Sequence, residues 1–156
     1  MKRVLLLTLV GSFILSLLLP GFVGADKVYH SERLDFWLTE AGDLAGHPEL
    51  RSGHVVNIHP NGPVNGALER YMINGAKPDT SYQVVILVSE IGCVGEPTRF
   101  STALLETNRK GNAQGKAGFS PADLAGFSGQ TFGVRWILEA GNVAAYETDC
   151  TIVSVD

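Results

Sequence analysis

Apolar and polar residues alternate in short runs along most of the chain beyond residue 30, and no long segment repeats every 3.6 residues. Alternating runs rich in Val, Ile, Thr, Tyr and Phe are typical of half-buried β-strands. Turn-forming pairs such as Asn61-Gly62 and Asn74-Gly75 separate them and favour antiparallel neighbours. The predicted strands are 33–39, 53–59, 66–73, 81–91, 100–107, 113–119, 130–139 and 143–155.

The predicted strand 81–91 carries apolar residues on both faces, with Tyr82 and Val84 on one side and Val85 and Leu87 on the other. A strand of this kind is usually central and covered on both sides. The run Ser120-Pro121-Ala122-Asp123 supplies a capping hydroxyl and a proline at the first helical position, which predicts one short helical turn near 120–125. The whole pattern predicts an all-β antiparallel sandwich of about seven to eight strands.

The first 25 residues have the order of a secretory signal. Lys2 and Arg3 precede an apolar stretch over 4–19, and small residues end at Ala25, the expected cleavage site. An uncleaved anchor is the alternative, although the stretch is short for a span of roughly 20 residues. We therefore expect a signal peptide over 1–25, one sandwich domain over 26–156, and a secreted or periplasmic protein of the cell envelope.

The composition is globular, because 45% of the residues are hydrophobic and 18% are charged. After cleavage, 131 residues would remain with sixteen acidic and ten basic side chains, a net charge of −6. This balance disfavours nucleic acid and anionic membrane surfaces as partners. No later segment is apolar enough to predict a membrane span.

Cys93 and Cys150 are the two cysteines of the chain. In an oxidising compartment an even pair predicts one disulfide. It would close a loop of about 58 residues, which the chain-entropy model values at roughly 4 kcal/mol. A redox-active pair is the alternative, and the CxxC spacing that would favour it is missing.

The sequence GAKPDTSYQV at 75–84 contains Pro78, Thr80 and Tyr82 at alternate positions. It resembles the fibronectin type III signature, in which a Leu-x-Pro-x-Thr-x-Tyr run enters a central strand, although Ala76 stands where a larger apolar residue is usual. In that family the tyrosine hydroxyl bonds back to the upstream backbone and fixes the corner between the sheets. The resemblance implies an immunoglobulin-like sandwich that acts as a binding or structural module and carries no catalytic residue.

Four histidines raise the question of a metal site: His30, His47, His54 and His59. His54 and His59 lie five positions apart in one predicted strand, so they project to opposite faces. Copper–zinc superoxide dismutases are also sandwiches and use His-x-His in a strand, a pair that this chain lacks. A mononuclear site of His47, His59 and a carboxylate such as Glu49 stays open. Separate histidines and no cofactor are the favoured interpretation.

Aromatic residues offer candidate binding positions. Trp136 alternates with Phe132 and is predicted to lie in the core. Trp37 has the opposite parity to Phe36 and would face outward, where it could stack on a sugar or anchor a partner together with Tyr29 or Tyr71.

We therefore expect a non-catalytic exported module for recognition or envelope structure that binds a protein or glycan through loops or a sheet face. The loop 41–53 is polar and contains glycine, as binding loops at sandwich ends often do. The alternatives are a metal-binding or redox protein that uses the histidines, and a hydrolase with a triad distant in sequence. A subunit of a larger assembly, joined by pairing along the edge of the last strand, is a further one.

Overall fold

The computed structural model describes residues 29–60 and 66–155, so the expected signal peptide and its cleavage site at Ala25 lie outside the described residues. Within these ranges ten strands pair antiparallel in two sheets. They are β1 (Tyr29–Asp35), β2 (Trp37–Leu38), β3 (Ser52–Pro60), β4 (Ala67–Asn74), β5 (Ser81–Glu90), β6 (Val94–Glu106), β7 (Ala113–Phe119), β8 (Gln130–Ala140), β9 (Val143–Glu147) and β10 (Thr151–Val155).

The first sheet has the order β1-β3-β4-β7, and the second has the order β2-β9-β8-β5-β6 with β10 also paired to β8. The predicted all-β antiparallel sandwich is therefore confirmed. The doubly apolar strand, β5, is central as predicted, because β6 and β8 flank it on either side. In the described part of the chain β10 pairs with β8 alone, so its other side is a sheet edge.

The predicted first strand, 33–39, is two strands in the structure. β1 ends at Asp35, the backbone N–H of Phe36 donates to the carbonyl of Gly53 at 2.9 Å, and Trp37 then pairs with Glu147 in the other sheet. The chain thus crosses between sheets at Phe36, whose side chain is buried in the core. The alternation of apolar and polar residues does not reveal this crossing, because apolar side chains occupy the same alternate positions before and after Phe36.

The predicted last strand, 143–155, is also divided. Glu147 pairs with Ile137, but Thr151 pairs with Val134, so three intervening residues stand opposite two of β8. Such an extra residue interrupts a ladder in the manner of a β-bulge. The two divisions explain why ten strands replace the seven or eight predicted.

The helical turn predicted near 120–125 is present as α2 (Pro121–Leu124), followed by a 3₁₀ turn at Ala125–Phe127. Ser120 caps α2 in a reciprocal capping box with Asp123. A second helix, α1 (Glu40–Leu44), lies within the segment expected to be a loop. Its five residues are too few to show helical periodicity in the sequence.

One hydrophobic core lies between the two sheets. Its largest fully buried side chains include Trp136, Tyr71, Tyr82, Tyr146 and Leu105. Trp136 therefore lies in the core, as predicted. No helix among the described residues is long and apolar enough to cross a membrane.

The predicted disulfide joins Cys93 and Cys150, whose Cα atoms lie 5.9 Å apart. Cys93 lies in the turn between β5 and β6, and Cys150 lies in the break between β9 and β10. The bond therefore fixes the start of β10 to the end of the β5–β6 hairpin.

Candidate functional site

A cavity of about 770 Å³ lies between the two sheets, where β4 and β8 begin and β5 ends. Interior voids of folded proteins rarely exceed a few water molecules, whereas ligand pockets occupy about 300–1,000 Å³. Most of the lining is apolar, with aromatic rings prominent. These apolar lining side chains include Ile86, Val88, Phe100, Phe119, Leu124, Phe127, Phe132, Val134 and Val153.

The cavity exists because small residues of the first sheet face large ones of the second. Ala67 of β4 and Ala117 of β7 line the first-sheet wall and fill little of the gap. Opposite them, the ring of Phe127 from the 3₁₀ turn stands edge-to-face against Phe100 and Phe132, with centroids 5.8 and 5.4 Å away. The three rings pack against one another, so they keep their positions without a packing partner from the first sheet.

Glu69 of β4 contributes a carboxylate to this otherwise apolar lining, and only 3% of the residue is exposed. The indole Nε1–H of Trp136 donates to Glu69 Oε1 at 2.9 Å, and the hydroxyl of Tyr71 donates to Glu69 Oε2. The Tyr71 hydroxyl also lies 3.1 Å from Thr102 Oγ1. This network joins β4 of the first sheet to β6 and β8 of the second.

Burial raises the pKa of Glu69 to about 7, against the opposing effect of the hydrogen bonds from Tyr71 and Trp136. The pKa of Tyr71 is also raised, first by burial and then by the neighbouring Glu69, so its hydroxyl keeps its proton. The ion pairs among the described residues are Arg33–Asp35, Arg99–Glu139 and Arg135–Glu147, and none involves Glu69. The buried carboxylate therefore has neutral donors as partners and no cation within that part of the chain.

The mouth of the cavity carries one charge of each sign. Lys116 of β7 and Asp123 of α2 both line it and are exposed. Hydrogen bonds from Ser120 lower the pKa of Asp123, so this carboxylate is ionised at neutral pH. The lining residues of the described chain include no histidine or cysteine. The cavity therefore offers a binding surface with one buried hydrogen-bond acceptor, the carboxylate of Glu69.

The structure does not bring the three predicted aromatic positions together. Trp37 is 41% exposed, and its Nε1–H donates to Glu147 Oε1 at 3.3 Å on the second sheet. Tyr71 belongs to the first sheet and is only 2% exposed, so it cannot form an outer face with Trp37. The side chain of Tyr29 lies outside the described part of the structure.

His47 follows α1 in the chain, lies beside Tyr82 near the start of β5, and is 7% exposed. Its Nδ1 is 2.9 Å from the hydroxyl of Tyr82, and burial together with the charge of Lys77 lowers its pKa. Burial, followed by the charge of Arg33, lowers the pKa of His54 as well. The side chain of His59 is not among those described, and the described residues contain no group of three His, Cys, Asp or Glu that could hold a metal ion.

The residues of the fibronectin-like run form a corner between β4 and β5. The hydroxyl of Thr80 donates to the carbonyl of Pro78 at 2.9 Å. Tyr82 is fully buried, and its hydroxyl lies 2.9 Å from Nδ1 of His47. The corner lies where the chain leaves the first sheet for the second.

Comparison with family models, with curated proteins and with solved structures found no match for the chain. The site must therefore be interpreted from its own residues. The interpretation of the sequence missed Glu69 as a functional candidate, although the sequence contains one indication that its side chain is buried. Glu69 has the same parity along its strand as Tyr71 and Ile73, so the alternation places a charged residue on the buried face.

Proposed function

We propose that this protein is an exported, non-catalytic β-sandwich module that binds a small, mainly apolar molecule in the cavity between its sheets. The observation that carries the proposal is an apolar cavity of about 770 Å³ with one buried carboxylate, Glu69, in its wall. A large apolar pocket with few convergent polar groups and a perturbed titratable residue is the first place to seek a ligand site.

An interior site differs from the protein or glycan surface that the sequence led us to expect. Trp37 remains the exposed aromatic candidate for such a surface. However, its indole is already hydrogen-bonded to Glu147, and Tyr71 is not beside it. The cavity brings many apolar side chains and one buried carboxylate together, so it is the better-supported site.

An extracytoplasmic location agrees with two features of the chain. The Cys93–Cys150 disulfide is the kind of bond that persists in oxidising compartments. The charged, apolar and small-residue order of the first 25 residues is that of a secretory signal.

A relation to immunoglobulin-like and fibronectin type III domains is part of this proposal. In support of it, the chain crosses from sheet to sheet between β4 and β5 and again between β7 and β8. As a result β4 pairs with β7 while β5 pairs with β8, the cross-connected arrangement of Greek-key sandwiches. The bond from Thr80 to the Pro78 carbonyl and the full burial of Tyr82 agree with the corner of the fibronectin-like run.

Filling the cavity should abolish binding of an apolar probe. Ala117 lines the cavity on β7, so the ring introduced by Ala117→Phe would occupy the space of the ligand. We expect this variant to bind the uncharged dye N-phenyl-1-naphthylamine at least about tenfold more weakly than the wild type, measured by the rise of dye fluorescence on titration.

The matched control is Gln114→Phe, which places the same ring on the exposed face of the same strand. This variant should bind the dye as the wild type does, and thermal unfolding should show that both variants are folded. Equal dye binding by wild type and Ala117→Phe, or no dye binding by the wild type, would contradict the proposed site.

A further inference from the structure

We infer that the ligand of the cavity is a small organic cation, an apolar body that carries a protonated nitrogen and pairs this nitrogen with the carboxylate of Glu69. The inference rests on the proposed function, because it requires that the cavity between the sheets binds a ligand. It specifies the charge of that ligand and the polar group that the ligand carries.

Glu69 lacks a countercharge among the described residues. A buried carboxylate is normally paired with a cation, because removing a charge from water costs several kcal/mol. Glu69 is 3% exposed, yet the three ion pairs of the described chain all lie elsewhere. Since Glu69 borders the cavity, a cationic ligand could supply the charge that the protein does not.

The hydrogen bonds of Trp136 and Tyr71 with Glu69 are both donated to the carboxylate. Trp136 and Tyr71 each donate their only N–H or O–H proton to Glu69. These donors are therefore committed and cannot serve an anionic or acceptor group of a ligand. Each carboxylate oxygen still has acceptor capacity, because an oxygen of an ionised carboxylate accepts about two hydrogen bonds. The site is thus complementary to a donor and would repel a ligand carboxylate.

The remaining lining of the cavity is mainly apolar and partly aromatic. Phe100, Phe127 and Phe132 present aromatic rings to the cavity, and such rings accept both apolar groups and organic cations. The cavity volume of about 770 Å³ allows a body of ten or more carbon-sized groups. An apolar amine combines the two properties that this lining and Glu69 require.

The other charged or titratable groups that line the cavity do not duplicate the role of Glu69. Lys116 on β7 and Asp123 on α2 are opposite in sign and exposed at the mouth. Tyr71 donates to Glu69 but is not itself a lining residue, and it keeps its proton because its pKa is raised. The lining residues from β3, β5, β6, β8 and β10 are uncharged. Glu69 is therefore the described lining group whose charge changes near neutral pH.

The test compares three probes with one apolar chain and different head groups: decylammonium, 1-decanol and decanoate. Each displaces N-phenyl-1-naphthylamine from the protein at pH 8, below the concentration at which the probe forms micelles. We expect decylammonium to bind at least about tenfold more tightly than 1-decanol, and decanoate to bind most weakly. An alkylammonium ion, like the lysine side chain, stays charged up to about pH 10.

Glu69→Gln should reduce the preference for decylammonium over 1-decanol to less than about threefold while the dye still binds. The matched control is Glu106→Gln, which removes an exposed carboxylate on β6 and should keep the preference. In the wild type, decylammonium should also bind more than about tenfold more weakly at pH 5 than at pH 8, because protons compete for Glu69. The binding of 1-decanol should not follow pH in this way.

The outcomes separate this inference from the proposed function. If 1-decanol or decanoate binds as tightly as decylammonium, or if Glu69→Gln keeps the preference, the ligand is not a cation held by Glu69, although the cavity still binds ligands. A loss of preference in Glu106→Gln as well would assign the effect to net charge and would overturn the inference. If neither the dye nor any probe binds, the proposed function itself is wrong.

Discussion

Replacing both cysteines with serine should lower the free energy of unfolding by about 4 kcal/mol, the largest effect that we expect from a change outside the core. Cys93 and Cys150 are 57 positions apart, so their bond removes much conformational freedom from the unfolded chain. Urea-induced unfolding of the wild type and of the double variant Cys93→Ser/Cys150→Ser, followed by tryptophan fluorescence, measures the difference.

The same change should weaken the binding site, because Cys150 immediately precedes β10 and Val153 of β10 lines the cavity. The reduced wild type is the control, since it has the native side chains without the bond and should resemble the double variant. A loss of less than about 1 kcal/mol in the double variant would mean that the unfolded state is not constrained as the entropy model requires.

Stability should fall between pH 5 and pH 8 because of Glu69. Its pKa is about 7 in the folded protein and near the ordinary 4.5 when unfolded, so the folded state holds a proton that the unfolded state has lost. The stabilising contribution of that proton is complete below about pH 4.5 and is lost as the pH rises through 7. The difference between the two pKa values corresponds to about 3 kcal/mol.

The comparison with Glu69→Gln isolates this contribution from that of the histidines. The lowered pKa values of His47 and His54 act in the opposite direction, because they make the folded protein less stable as the pH falls through 6.5. Urea unfolding of wild type and variant should give similar stabilities at pH 4.5, and at pH 8 the variant should be the more stable by about 3 kcal/mol. A difference that stays constant with pH would show that Glu69 does not titrate in this range.

Much of the fold could be predicted because the sandwich buries one face of each sheet. Alternation must follow burial in such strands, and β7 appears in the sequence with the same bounds that it has in the structure, Ala113–Phe119. The crossing at Phe36 and the extra residue before Thr151 could not be predicted in this way. The crossing at Phe36 interrupts the pairing of strands without interrupting the alternation of side chains. The extra residue before Thr151 instead changes which alternate positions face the core, from Tyr146 in β9 to Val153 in β10, and no turn signal marks the change.

The candidate site was less predictable, since it depends on which strands are neighbours. The alternation places Trp136 in the core, but its partner Glu69 lies 67 positions away, and no local pattern joins them. Glu69 and Ala117, which both line the cavity, are brought side by side by the register of β4 with β7. This register is fixed by tertiary packing, and the short run of small residues around Ala117 does not specify it.

The central claim, that a ligand in the cavity contacts the carboxylate of Glu69, can be tested directly through the two tryptophans of the chain. The indole N–H of Trp136 donates to Glu69 inside the cavity, and that of Trp37 donates to Glu147 on the outer face. In ¹H–¹⁵N NMR spectra recorded during titration with decylammonium at pH 8, we expect the Trp136 indole resonance to shift and saturate while the Trp37 resonance stays in place. A stationary Trp136 resonance, or equal shifts of both resonances, would contradict a site at Glu69.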